Sequence, residues 1–203
     1  MAKLYYRYSA MNSGKTTLLL QAAYNYEERG MQVLVLKPAV DTKGGKTIVS
    51  RLGLSRQVDV VVGKHDSIPL LISTQLAAGT IKCILVDEAQ FLEPAQVDEL
   101  YWLAVDRNIP VLAYGLRTDF SGKGFPASSR FLELAHELQE LKTICRCGRK
   151  AVMNGRKVNG EFVLEGDQIA IDDKVSIEYE ALCASCWKQL VLLSTQSAKH
   201  LAR

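Results

Sequence analysis

The chain has 203 residues, of which 48% are apolar and 23% are charged, a composition ordinary for a soluble protein with a sizeable core. The formal charge of +3 is too small and too evenly spread to indicate a nucleic-acid-binding surface, and no apolar run approaches the length of a membrane span. The start Met1-Ala2-Lys3-Leu4 contains no apolar signal region. We therefore expect a cytoplasmic protein.

The first predicted strand, Leu4 to Tyr8, leads into the run Ser9-Ala10-Met11-Asn12-Ser13-Gly14-Lys15-Thr16, and a predicted helix follows from Lys15 to Arg29. A strand, a loop and a helix in this order are the setting of a phosphate-binding P-loop, in which Lys15 reaches the β- and γ-phosphates and the Thr16 hydroxyl holds Mg²⁺. Ser9 stands where the pattern G-x-x-x-x-G-K-[ST] has its first glycine, so we expect Ser9 to adopt a negative φ. The alternative is a Gly-Lys-Thr sequence that occurs in a loop by chance.

Short apolar runs then alternate with longer amphipathic stretches, which is typical of βα units and a parallel sheet. The further predicted strands are Val33 to Leu36, Val58 to Val62, Ile81 to Val86, Val111 to Tyr114 and Leu138 to Ile144. The further predicted helices are Ser67 to Ala78, Glu93 to Asn108 and Ser128 to His136. The segment from Asp41 to Lys46 is rich in glycine and lysine, which predicts either a mobile hairpin or loop near the phosphates or a solvated linker.

Asp87 and Glu88 follow the apolar strand that ends at Val86, as the acids of a Walker B strand do. Asp87 would support Mg²⁺. Because successive strand residues point to opposite faces, Glu88 should have a different role, as a base acting on water or on a substrate hydroxyl. A solvated acidic pair at the start of a helix is the alternative.

The glycine-rich stretch after the fifth strand carries Phe120 and Phe125. Ligands bind beyond the carboxyl ends of the strands in an open α/β sheet, so these rings are candidates to face a planar substrate. Packing into the core is an equally good interpretation for either ring.

Past Leu141 the sequence changes to clustered cysteine, glycine and asparagine, which predicts a second, small module. Two close thiol pairs, Cys145 with Cys147 and Cys183 with Cys186, suit a closed tetrahedral Zn²⁺ site of structural type. Four unligated thiols are the alternative. Residues 149 to 182 between the pairs are expected to form a long, metal-anchored loop. We divide the chain into a P-loop domain at 1–141, a zinc-binding domain at 142–193 and a disordered tail at 194–203.

Four sequence blocks resemble the type II thymidine kinases, the cytosolic P-loop deoxynucleoside kinases with a zinc-held lasso domain, particularly their enterobacterial form. The blocks are Tyr8 to Thr16, Leu85 to Phe91, Tyr114 to Phe120 and Thr143 to Ala151, and the resemblance extends from Lys3 to about Lys188. It implies an α/β fold with a P-loop (RecA-like) parallel sheet and a small C-terminal zinc-binding lasso domain.

The resemblance also implies an activity, the transfer of the ATP γ-phosphate to the 5′-hydroxyl of thymidine, and of deoxyuridine, in nucleotide salvage for DNA synthesis. Glu88 corresponds to the proton acceptor, and Asp87 with Thr16 serves Mg²⁺. The implied ATP contacts are Ser9, Ala10, Met11, Asn12, Ser13, Gly14, Lys15, Thr16, Asp87, Glu88, Ala89 and Gln90. The implied substrate contacts are Met11, Asp41, Arg51, Phe91, Leu116, Phe120, Phe125 and Tyr179.

Asp172-Asp173 replaces the usual Gly-Gly of the lasso in this family, which leaves the register from Gln168 to Tyr179 open. The resemblance implies a homotetramer and feedback inhibition by dTTP. The mild charge and the lack of a membrane-length apolar run predict no nucleic-acid or membrane partner. Two other interpretations remain: a helicase-like or nucleic-acid-stimulated P-loop ATPase with a zinc module, and a zinc-dependent nucleic-acid-binding module without catalysis.

Overall fold

The computed structural model describes residues 1–41, 45–168 and 176–201, and side chains up to residue 192. The chain divides into two compact units, which we call the core unit and the cysteine unit. The core unit comprises Met1–Tyr8, Gly14–Arg117 and Phe125–Leu141, and the cysteine unit comprises Ser9–Ser13, Thr118–Gly124 and Lys142–Arg203. The C-terminal part of the cysteine unit thus begins at residue 142, and the segments Ser9–Ser13 and Thr118–Gly124 also belong to it.

Parallel strands form the centre of the core unit. The strands are β1 (Leu4–Ser9), β2 (Gln32–Pro38), β3 (Thr47–Val49), β4 (Ser55–Gln57), β5 (Val60–Val62), β6 (Ile81–Val86), β7 (Val111–Leu116) and β8 (Glu137–Glu140). Within the described residues, six of them form a sheet in the order β5-β2-β6-β7-β1-β8, with Leu36 opposite Val86 and Tyr6 opposite Leu138. This sheet confirms the α/β class.

Apolar side chains cover both faces of this sheet. The helices are α1 (Lys15–Glu27), α2 (Ile68–Leu71), α3 (Ser73–Ala78), α4 (Pro94–Asp106) and α5 (Pro126–Leu134), with a 3-10 helix at Ala89–Phe91. Helix α1 packs Leu19 against Val35 and Leu85 on one face. Helices α4 and α5 contribute to the cluster on the other face, which includes the adjacent strand residues Leu36 and Val86. Strands β2 and β6 are buried over almost their whole length, because successive side chains point to opposite faces and both faces are covered.

Some predicted elements are divided in the structure. The predicted helix from Ser67 to Ala78 is interrupted at Ile72, whose backbone departs from helical geometry (φ −107°) while its side chain is fully buried. The predicted strand from Leu138 to Ile144 is two strands, because β8 pairs with β1 whereas the residues after 142 pair within the cysteine unit. The glycine-rich segment leads into an antiparallel hairpin of β3 and β4, and residues 42–44 lie outside the described part of the chain.

Antiparallel strands make up much of the cysteine unit. They are β9 (Thr143–Ile144), β10 (Lys150–Ala151), β11 (Met153–Val158), β12 (Glu161–Val163) and β13 (Ile177–Leu182), followed by helix α6 (Ala184–Leu201). In the described residues, β11 is the middle strand between β12 and β13. The prediction of one long loop from 149 to 182 was therefore wrong over 150–151, 153–158, 161–163 and 177–182. These strands form because residues such as Ala151 and Leu182 are buried in an apolar cluster.

Helix α6 continues through Leu201, where the sequence predicted a disordered tail from residue 194. Asp172 and Asp173 lie outside the described residues, as does most of the open register from Gln168 to Tyr179. Among the described residues, no helix is both long enough and apolar enough to cross a membrane.

Candidate functional site

The loop between β1 and α1 has the backbone geometry expected of a P-loop. Asn12 and Gly14 have positive φ angles of 64° and 82°. The φ angle of Ser9 is not positive, in agreement with the prediction from the sequence. The Ser9 hydroxyl donates to the Ala10 carbonyl at 2.7 Å and lies 2.5 Å from the Ser13 hydroxyl, so the side chain that replaces a glycine fastens the loop. Helix α1 begins directly after Gly14, which directs its first free N–H groups toward the loop.

Lys15 is buried at the start of α1, with 8% of its surface exposed. Burial lowers the pKa of Lys15, while the negative charges of Glu88 and Asp87 act in the opposite direction. A cation held in a desolvated position at the start of a helix suits the binding of an anionic ligand such as a phosphate. Thr16 follows in the first turn of the same helix.

Asp87 follows β6 directly and is also buried. Burial raises the pKa of Asp87, and the charge of Glu88 raises it further. Its carboxylate accepts a hydrogen bond from the Glu88 backbone N–H, but Oδ1 has no hydrogen-bond partner among the described residues. A buried carboxylate oxygen without a partner fits a bound Mg²⁺, which prefers oxygen ligands and would stabilise the ionised form.

Asp41 and Arg51 belong to the same electrostatic environment. The charge of Asp41 contributes to raising the pKa of Asp87, and that of Arg51 contributes to lowering the pKa of Lys15. The sequence did not identify Lys37, which is 2% exposed and contacts Asp41 Oδ2 at 3.0 Å. Its position at the end of an apolar strand was visible in the sequence, but its burial was not.

Glu88 has a left-handed backbone (φ 46°, ψ 41°), which is uncommon outside glycine and is often found at functional sites. Gln90 Nε2 donates to Glu88 Oε2 at 2.5 Å, and Gln90 Oε1 accepts from the Leu116 N–H at 3.0 Å. A Cβ at Gly115 would lie 2.9 Å from Gln90 Oε1, so this position has room only for glycine. The buried Gln90 amide thus connects Glu88 to the end of β7, a contact that the sequence did not indicate.

The aromatic candidates of the core unit lie together. The Phe91 and Phe125 rings meet edge to face, with centroids 5.7 Å apart and an interplanar angle of 89°. Leu116 is buried at the end of β7.

Three further substrate candidates lie in the cysteine unit. The Met11 N–H donates to Asn154 Oδ1 at 2.8 Å, and Asn154 Nδ2 donates to the Thr118 carbonyl at 2.8 Å. The Tyr179 carbonyl on β13 accepts from the Asn12 side chain at 3.4 Å. Phe120 is 2% exposed and lies under the Arg156 guanidinium. Neither Asn154 nor Arg156 was identified from the sequence, because nothing near them in the chain marks a site.

The four predicted thiols come together in the cysteine unit. Every pair of Sγ atoms lies within 4.8 Å, and Cys147 and Cys183 are 3.6 Å apart. Zn–S bonds of about 2.3 Å in a tetrahedron require sulfur atoms ~3.8 Å apart, so the residues fit a Zn²⁺ ion. The Cys186 N–H donates to the Cys183 sulfur, and this bond is the largest of several that together lower the pKa of Cys183 to about 6, which favours the thiolate that a metal requires.

Two tight backbone features present these sulfurs. A turn closed by the Gly148 N–H and the Cys145 carbonyl carries the first pair, with φ of 82° at Gly148. The second pair lies at the junction of β13 and α6, where the Trp187 N–H donates to the Cys183 carbonyl. The turn therefore holds the sulfurs of Cys145 and Cys147 close together although only one residue separates them, and the start of α6 does the same for Cys183 and Cys186.

A parallel sheet with a Gly-Lys-Thr loop between its first strand and helix, and with an acidic pair after β6, defines a P-loop nucleotide-binding protein. The thymidine kinase family model matches residues 2–187. The chain is 51% identical over 191 residues to a thymidine kinase of Legionella pneumophila strain Lens, covering 93% of this chain and 90% of that protein. It is 45% identical over 192 residues to a thymidine kinase of Enterobacteria phage T4, covering 94% and 97%. The chain belongs to the thymidine kinase family, and it is therefore an enzyme that uses ATP.

Among solved structures, a Pif1 helicase from Candida albicans matches with a TM-score of 0.40 and 18% identity, over 71% of this chain and 37% of that one. A likeness at that level supports no inference about this protein.

Proposed function

We propose that the chain transfers the γ-phosphate of ATP to the 5′-hydroxyl of thymidine, with Glu88 as the general base. The O–H bond of the 5′-hydroxyl breaks and its proton goes to the Glu88 carboxylate. The freed oxygen forms a bond to the γ-phosphorus, while the bond from that phosphorus to the β-phosphate oxygen breaks and ADP leaves. This proposal builds on the family to which the chain belongs.

The fixed carboxylate of Glu88 is the observation that carries the proposal. A base must be held at a defined place to act on one hydroxyl. Glu88 lies in the left-handed turn after β6, and the Gln90 amide holds one of its carboxylate oxygens, so the other oxygen remains to accept a proton.

The charged neighbours of Glu88 suit phosphoryl transfer. Lys15 would stabilise charge that develops on the transferred phosphate, as P-loop lysines do. Mg²⁺, when bound, supplies charge neutralisation at the phosphates, and Asp87 and Thr16 are its proposed ligands. The proposed ATP contacts are completed by the backbone N–H groups of residues 9–16 and by Ala89 and Gln90.

The proposed nucleoside contacts are Met11, Asp41, Arg51, Phe91, Leu116, Phe120, Phe125 and Tyr179. Deoxyuridine differs from thymidine by one methyl group, which contributes only about 1–3 kcal/mol of discrimination in an apolar site. We therefore propose that deoxyuridine is also a substrate. The four cysteines hold a structural Zn²⁺ in this proposal.

We further propose a homotetramer in the cytoplasm that dTTP inhibits, on the basis of the family alone. Sedimentation equilibrium tests the tetramer, and inhibition kinetics with dTTP test the regulation.

The test of the activity measures ATP consumption with and without thymidine while thymidine monophosphate is quantified. We expect consumption to depend on thymidine and to match the monophosphate formed. In Glu88→Gln, which keeps the shape but removes the base, kcat should fall by about 10² or more with nucleotide affinities nearly unchanged. ATP hydrolysis that ignores thymidine and responds to DNA would instead favour the helicase-like alternative.

A further inference from the structure

Arg156 is a buried arginine in the middle of the cysteine unit. It lies on β11, opposite Tyr179 of β13, and only 4% of its surface is exposed. Removing a guanidinium from water is costly unless the lost hydration is replaced. Its contacts therefore indicate what the burial achieves.

The guanidinium binds two backbone carbonyls on either side of Gly166. Nη1 donates to the Asp167 carbonyl at 2.6 Å, and Nη2 donates to the Glu165 carbonyl at 3.1 Å. Its carbon Cζ lies 3.6 Å from the centre of the Phe120 ring, the distance of a close stacking contact. One side chain thus holds the chain at 165–167 and covers the face of Phe120.

Gly166 is matched to this arrangement. Its φ is 120°, which side chains rarely adopt, and a Cβ there would lie 2.5 Å from Arg156 Nη2. Gln168 adds a second connection, because its Nε2 donates to Asp119 Oδ2 at 3.0 Å, next to Phe120 in sequence. The start of the segment that leads to Tyr179 is thereby fastened to the loop that carries Phe120.

We propose that Arg156 is a positioning residue for nucleoside binding. Arg156 fixes the position of the Phe120 ring and of the backbone at 165–168. The forked geometry of its guanidinium allows one side chain to make both carbonyl hydrogen bonds and the stacking contact. This inference rests on the proposed function, because Phe120 and Tyr179 are proposed nucleoside contacts. ATP affinity should not depend on it.

The experiment compares Arg156→Met with Lys157→Met, its neighbour on β11. Lys157 also contacts an aromatic ring, with Nζ 4.8 Å from the centre of Phe162, and pairs with Glu180 at 2.9 Å. It thus controls for the loss of a cation from the same strand. In Arg156→Met the thymidine KM should rise about tenfold or more, while the ATP KM and the zinc content stay within about twofold of wild type. Lys157→Met should leave the ratio of the two KM values unchanged.

Two further variants keep the proposal open to refutation if Arg156→Met folds poorly. Arg156→Lys retains the charge but not the fork, and should raise the thymidine KM. Gly166→Ala should do the same with Arg156 intact, and its effect should be smaller when combined with Arg156→Met, since the clash with Nη2 is then gone.

An equal rise in both KM values, or an unchanged thymidine KM in folded, zinc-containing Arg156→Met, would overturn the positioning role. A wild type that phosphorylates no thymidine would refute the proposed function instead. Amide hydrogen exchange over 162–168 would then still test, without substrate, whether Arg156 holds the backbone at 165–168. Faster exchange in Arg156→Met supports this role, and unchanged exchange overturns it.

Discussion

Replacing Gln90 with glutamate tests whether the buried amide holds the proposed base. The variant is nearly isosteric and keeps an oxygen acceptor for the Leu116 N–H, but it replaces the donor that lies 2.5 Å from Glu88 Oε2 with a second carboxylate oxygen. At an effective dielectric of about 20, two unit charges at this separation repel by about 7 kcal/mol. The pair would therefore retain one proton between its two carboxyls at neutral pH.

A shared proton occupies the group that must accept one from the substrate. We expect kcat of Gln90→Glu to fall by about 10² near pH 7 and to recover as the pH rises and the shared proton is lost. The assay is thymidine-dependent ATP turnover measured as a function of pH, together with thymidine binding, which should change little.

Gln96→Glu is the matched control. Gln96 is also buried in the core unit, and its amide donates to the carbonyls of Gly63 and Asp66. This variant should lower stability without moving the pH dependence of kcat in the folded protein. If Gln90→Glu kept the wild-type kcat and pH profile, the proposed link between Gln90 and the base would be untenable.

Two other predictions concern the phosphate site and the metal. Lys15→Ala should lower kcat/KM for ATP by about 10² or more, because the variant lacks the desolvated cation that stabilises negative charge developing on the transferred phosphate. Steady-state kinetics that match wild type would exclude Lys15 from the reaction. Cys183→Ser should lose the zinc and weaken thymidine binding before ATP binding, since coordination contributes folding free energy to a small unit while the sheet has its own core. Metal analysis and both affinities check this, with Cys83→Ser, which alters a buried thiol outside the cluster, expected to keep its zinc. An equal loss of thymidine and ATP affinity in Cys183→Ser would contradict the prediction that the zinc supports thymidine binding and leaves ATP binding to the core unit.

Local patterns were sufficient for several parts of the protein. The strand before Ser9, the Gly-Lys-Thr that follows, and the acids after β6 each lie within a few residues of sequence. Short apolar runs that alternate with longer amphipathic stretches indicated the parallel sheet for the same reason. The spacing within the cysteine pairs also predicted the four-thiol site, because two thiols separated by one or two residues are already close enough to bind one metal ion.

Tertiary structure decided how these parts are held in place. Gln90 meets the Leu116 N–H across 26 residues of sequence, and Met11 meets Asn154 across 143. Polar residues such as Lys37, Asn154 and Arg156 look in sequence like ordinary surface residues, since their burial depends on how the strands and loops around them pack in the folded protein. The strands between the cysteine pairs were likewise missed, because their pairing depends on long-range register and their short segments carry little propensity of their own.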